Sequence, residues 1–101
     1  MINVIFLFGF MEPRHSLKSM LDPISEHANV YGLIMRNHYG FNYCEEFDYP
    51  SMVEDVHKFV LSQGLQNFVL AGYCIGGRVA MYYSVKYPSF IQGLILLESS
   101  A

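Results

Sequence analysis

Hydrophobic residues in this 101-residue chain fall into four short runs, which polar or glycine-containing stretches separate. Short continuous apolar runs bounded by turn residues are typical of strands that are buried on both faces. The first run ends at Gly9, and Gly32 interrupts the second. The pattern predicts strands at Ile2 to Phe8, Val30 to Met35, Phe68 to Ala71 and Ile91 to Leu97.

Segments with helical periodicity lie between these runs. In the most regular one, from Ser51 to Gln63, Ser51 and Glu54 are predicted to form a capping box, and Gly64 ends the helix. Its apolar stripe consists of Val53, Val56, Phe59 and Val60. The last of three predicted helices runs from Arg78 to Lys86 and ends before Pro88.

An earlier helix is predicted to begin after Ser16, which can serve as its N-cap. Pro23 lies inside this helix and should kink or split it. The apolar positions of its stripe are Leu17, Met20, Leu21, Ile24 and Ala28. Strands that alternate with helices through right-handed crossovers form a parallel sheet covered on both faces. The chain is therefore predicted to be one α/β domain over residues 1–101, a three-layer sandwich with about four parallel strands.

Composition narrows the function classes. A hydrophobic fraction of 52% with 15% charged residues argues against disorder, and a net charge of −3 with six scattered basic residues gives no footprint for nucleic acid. No apolar run approaches the length of a membrane span. Two cysteines do not make a disulfide framework, so we expect reduced thiols in the cytoplasm or another reducing intracellular compartment. No Cys/His spacing fits zinc, and no metal or cofactor is expected.

The candidate chemistry lies in Gly-Tyr-Cys-Ile-Gly-Gly, which joins the third strand to the helix after it. A strand, a glycine-framed tight turn and a helix form the context of a nucleophile elbow, here with Cys74 at the centre. Gly72 and Gly76, two residues before and after it, must lack bulk so that strand and helix can pass closely; Gly77 follows. The helix amino end would favour a thiolate, and the Ile75 N–H could meet an oxyanion.

Other interpretations of these residues stay open. A dinucleotide fingerprint would need glycine where Cys74 stands, so a dinucleotide site is the less favoured interpretation. Cys74 could also be an ordinary buried thiol. His15 and His38 follow strands and are candidate local bases at the carboxyl edge of the sheet, although loop histidines are usually just solvated. His57, on the second helix beside Lys58, is predicted to be exposed, and His27 to end the first helix, where a cation suits the helix dipole. The remaining candidates are interpreted as a solvated loop (Glu45, Glu46 and Asp48) and as packing or helix-surface residues (Tyr82, Tyr83 and Tyr87).

The chain resembles α/β-hydrolases, above all compact abhydrolase-type esterases with segments such as "LLHG", "RNHG" and "GHSMGGKxAM". The matching segments here are Leu7-Phe8-Gly9, Arg36-Asn37-His38-Tyr39-Gly40 and Gly72 to Met81. The hexapeptide GYCIGG is also similar to the elbow of dienelactone hydrolases, which use a cysteine nucleophile. The resemblance implies that residues 1–101 correspond to the third to sixth strands of that fold, a partial hydrolase domain.

The resemblance also implies roles for residues. Cys74 would be the nucleophile, the N–H groups of Ile75 and Phe10 would form the oxyanion hole, and Glu98 is a candidate acid. The substrate would be a small-molecule ester or thioester. In the family the catalytic histidine follows the last strand, so we expect a fragment or a truncated member.

A second, non-enzymatic hypothesis stays open. Phe8 stands where the family usually has histidine, which favours an inactive domain that binds a small acyl ligand or a protein partner. Unpaired sheet edges would in addition allow self-association.

Overall fold

The computed structural model describes residues 2–7, 21–33, 49–73 and 75–97. Four strands are present: β1 (Ile2–Leu7), β2 (Ala28–Leu33), β3 (Phe68–Tyr73) and β4 (Ile91–Leu97). Residues 21–25 are the described part of helix α1. The other helices are α2 (Tyr49–Gln63) and α3 (Ile75–Lys86), and a short 3-10 turn follows at Pro88–Phe90.

The strands form one sheet in the order β2-β1-β3-β4, and every neighbouring pair is parallel. The register places Val4 of β1 between Val30 of β2 and Val69 of β3. Strands β1 and β3 are therefore the inner pair, because the chain moves to one side of β1 to form β2 and then crosses to the other side for β3 and β4. The predicted α/β class with a parallel four-stranded sheet is confirmed.

The junction between α1 and β2 differs from the prediction. The pattern places Ala28 on the stripe of the first helix, and this is wrong, because β2 begins at Ala28, which pairs with Ile2. Residues 26–27 form a turn in which the N–H of His27 donates to the carbonyl oxygen of Ile24 at 2.9 Å. Burial of Ala28 in the sheet outweighs its high helix propensity.

Most of the core lies between the sheet and the pair α2 and α3. Ile5 and Leu7 of β1 point to this side, because alternate residues of a strand face opposite sides of the sheet. The fully buried residues that meet them come from α2, β3 and α3: Met52, Val53, Val56, Val60, Phe68, Leu70, Val79, Ala80 and Tyr83. Burying one such aliphatic or aromatic side chain contributes about 1.5–3 kcal/mol.

A smaller cluster lies on the opposite side of the sheet. Phe6 and Ala71 are buried there, and Leu21 of α1, Tyr73 and Leu97 pack against them. The sheet is therefore covered on both sides, by α1 on one and by α2 and α3 on the other, as the three-layer prediction requires.

Helix α2 begins two residues before the predicted cap. Its first residues are Tyr49 and Pro50, and proline fits there because the first-turn N–H groups have no intrahelical acceptor. Ser51 therefore lies inside the first turn, so the predicted capping box with Ser51 as N-cap is wrong.

The carboxyl end of α2 follows the prediction. Gly64 has φ +64°, its N–H donates to Leu61 at 3.2 Å, and the N–H of Leu65 donates to Val60 at 3.1 Å. This pair of hydrogen bonds is the Schellman motif, with a left-handed glycine and a buried apolar residue directly after it.

Glu54 joins α2 to the end of α3 instead of capping its own helix. Its carboxylate accepts hydrogen bonds from Lys86 Nζ at 2.5 Å and from the Tyr87 hydroxyl at 2.8 and 3.1 Å. These hydrogen bonds, that of Lys86 first and that of Tyr87 next, lower the pKa of Glu54.

His57 was predicted to be exposed, and this is wrong. It is half-buried; its Nδ1 is hydrogen-bonded to the hydroxyl of Tyr83 at 3.0 Å, and its ring stacks on Tyr87 with centroids 3.7 Å apart. Phe90 meets the His57 ring edge-on at 5.0 Å. Because Phe90 directly precedes β4, these four residues form an amino-edge cluster at the end of the sheet where the strands begin. Burial raises the pKa of Tyr83 within it.

Strand β4 lies at one end of the sheet in the described part of the chain and carries no charged residue. Leu94, Ile95 and Leu96 are exposed along it. An uncharged apolar edge strand is a surface on which another strand can pair, and self-association through this edge stays a prediction. Among the residues described, each helix is too short or too polar to cross a bilayer.

The contribution of Glu54 to stability is expected to depend on pH. Its pKa is lowered in the folded chain from a usual value of 4.5, so its contribution is present above that value and is lost as the pH falls through the folded pKa. Glu54→Gln should lower the melting temperature at pH 7, and its difference from wild type should shrink at pH 3. Thermal unfolding followed by circular dichroism measures both.

The control for this experiment is Glu26→Gln, at an exposed carboxylate in the turn before β2, which should leave the melting temperature unchanged at both pH values. A melting-temperature difference for Glu54→Gln that stays constant from pH 7 to pH 3 would contradict the assignment.

Candidate active site

The turn between β3 and α3 is the candidate site. Strand β3 ends at Tyr73 and α3 begins at Ile75, so one residue, Cys74, connects an inner strand of the sheet to a helix. Cys74 itself lies outside the described residues, and its flanking residues are described on both sides. They lead the chain past the carboxyl edge of the sheet, where parallel α/β proteins bind ligands.

The backbone around this turn is so closely packed that two positions exclude any side chain. A Cβ atom on Gly72 would overlap the carbonyl oxygen of Gly76, and one on Gly76 would overlap the carbonyl oxygen of Leu7, the last residue of β1. Both obstructing atoms are main-chain atoms, which cannot rotate away. This geometry meets the steric requirement of a nucleophile elbow at these two glycines. Gly77 is buried in the same first turn of α3.

The amino end of α3 carries the positive potential of a helix terminus. The first N–H groups of a helix lack intrahelical acceptors, and their partial charges favour an anion close by. The first turn of α3 carries no acidic residue, and Lys86 lies in its last turn. The N–H of Ile75 comes first in this series, so a developing negative charge at the turn would be stabilised there.

The end of β1 adjoins this helix terminus. Gly76 of α3 is in close contact with Leu7, the last residue of β1. The second predicted oxyanion donor, the N–H of Phe10, comes three residues after Leu7 and lies outside the described residues. The same is true of Glu98, which follows the last residue of β4, Leu97.

The histidines proposed as local bases are not among the described residues either. His15 and His38 fall in the undescribed stretches after β1 and β2, as do Phe8, Cys44, Glu45, Glu46 and Asp48. The described residues contain no group of three His, Cys, Asp or Glu side chains that could hold a metal ion.

A surface groove that the sequence analysis missed lies between the start of α2 and the outer side of α3. Its volume is about 500 Å³, and its lining residues are Tyr49, Pro50, Val53, Tyr82 and Lys86. The two tyrosine rings pack at 4.9 Å. Among the described lining residues the one charged side chain is Lys86, which is paired with Glu54. No sequence motif marks it, because its walls come from two separate helices.

The packing at the turn predicts that two glycine substitutions differ strongly in their effect on the free energy of unfolding. Gly76→Ala should destabilise the fold by at least about 2 kcal/mol, since the new methyl group would collide with a main-chain carbonyl. Gly93→Ala in β4 is the matched control. Its Cβ would meet Val69 Cγ2 at 3.5 Å, an ordinary contact, and the free energy of unfolding should change by less than about 0.5 kcal/mol. Urea unfolding measures both variants, and equal costs would refute the steric account.

Comparison with known proteins places this turn in a wider context. The sequence profile of the alpha/beta hydrolase fold matches residues 2–101. Ethanol acetyltransferase 1 of Cyberlindnera jadinii is 28% identical over 99 residues, which cover 96% of this chain and 30% of that protein. The chain thus spans about a third of the length of this relative.

Solved structures agree on the fold. A marine microorganism esterase superposes with a TM-score of 0.88 at 28% identity, covering 94% of this chain and 36% of that one. An esterase from Exiguobacterium antarcticum superposes with a TM-score of 0.89 at 22% identity, covering 100% and 39%. The profile match over nearly all of its residues shows that the chain belongs to the alpha/beta hydrolase fold family.

Proposed function

We propose that the chain carries the nucleophile half of an acyl-transfer enzyme that hydrolyses a carboxylic ester or thioester through Cys74. The observation that carries this proposal is the single-residue turn between β3 and α3, closed by the contacts of Gly72 and Gly76. A sharp turn from strand to helix holds its central side chain clear of the sheet edge, where a substrate can reach it.

In the proposed reaction, the thiolate sulfur of Cys74 bonds to the carbonyl carbon of the substrate. The carbonyl oxygen becomes an oxyanion, which accepts hydrogen bonds from the N–H groups of Ile75 and Phe10. The leaving group departs and takes up a proton. Water then attacks the acyl-cysteine, the carboxylic acid is released, and the thiol is restored. Glu98 is kept as the candidate acid of the site.

The thiolate is supported by its surroundings. The amino end of α3 favours a negative charge at the turn, and its first turn has no carboxylate to oppose it. The same proposal includes a reducing intracellular compartment, because a nucleophilic cysteine must stay a free thiol.

Transfer to an alcohol is a second candidate function. A relative that matches nearly the whole chain is named Ethanol acetyltransferase 1. Hydrolysis and alcohol acylation share the acyl-enzyme and differ in the acceptor, water in one and an alcohol in the other. Both reactions would use the same turn until the acyl-enzyme has formed.

The test compares the two cysteines of the chain. At pH 7, iodoacetamide should alkylate Cys74 roughly tenfold faster than Cys44, because the thiolate is the reactive form and a helix amino terminus favours it. Peptide mapping after timed alkylation gives both rates in one sample. Cys74→Ala should abolish any burst of p-nitrophenol from p-nitrophenyl acetate, and Cys44→Ala should leave it intact.

The outcomes separate the two hypotheses. Equal alkylation rates, together with an unchanged burst in Cys74→Ala, would remove the catalytic role of Cys74. Fast alkylation of Cys74 with no burst in the wild type would favour the inactive domain that binds an acyl ligand or a protein partner.

A further inference from the structure

We draw no further inference here: the strongest candidate, the uncharged surface of strand β4 along which Leu94, Ile95 and Leu96 are exposed, carries none, because nothing in the described part of the chain shows what covers it.

Discussion

The approach of the α3 backbone to the carbonyl oxygen of Leu7 is the contact on which the rest of the structure depends. It brings the start of a helix against the end of the central strand β1, and it exists because Gly76 has no side chain. Gly72 allows the matching contact inside the turn, between β3 and α3. Together these contacts bring the carboxyl ends of two neighbouring strands next to a helix amino terminus.

This arrangement also explains how the core is divided. Because α3 starts directly at the edge of the sheet, it runs back across β3 and buries Val79 and Tyr83 against Phe68 and Leu70. Helix α2 completes that side, and α1 covers the other side at Phe6. The candidate site is thus supported by inner strands and a core helix, which position side chains more precisely than a surface loop does.

Patterns that depend on local sequence predicted the structure well. The strands follow from apolar runs, the parallel α/β arrangement follows from the alternation of strands and helices, and the end of α2 follows from Gly64. The errors concern residues whose partners are distant in the chain. Glu54 has the right spacing for a cap but binds residues 32 and 33 positions later, and His57 is covered by residues that follow α3. No local pattern contains that information.

The residues of the candidate site also fall into two groups, those predicted from a local motif and those assigned by resemblance to a family. Gly72 and Gly76 could be assigned from the motif, because the turn itself demands them. The roles of Phe10 and Glu98 come from family resemblance, since a residue beyond a strand end is positioned by whatever packs around it. The sequence therefore predicts the glycine-framed turn in physical terms and the groups around it only by analogy.

The amino-edge cluster has a practical consequence for experiments on this chain. The protein contains eight tyrosines and no tryptophan, so tyrosine dominates its near-ultraviolet absorption and emission. Tyr83 and Tyr87 are held rigidly beside the imidazole of His57, at the opposite edge of the sheet from the β3–α3 turn. Their circular dichroism signal will report the packing of α2 against α3 without a label.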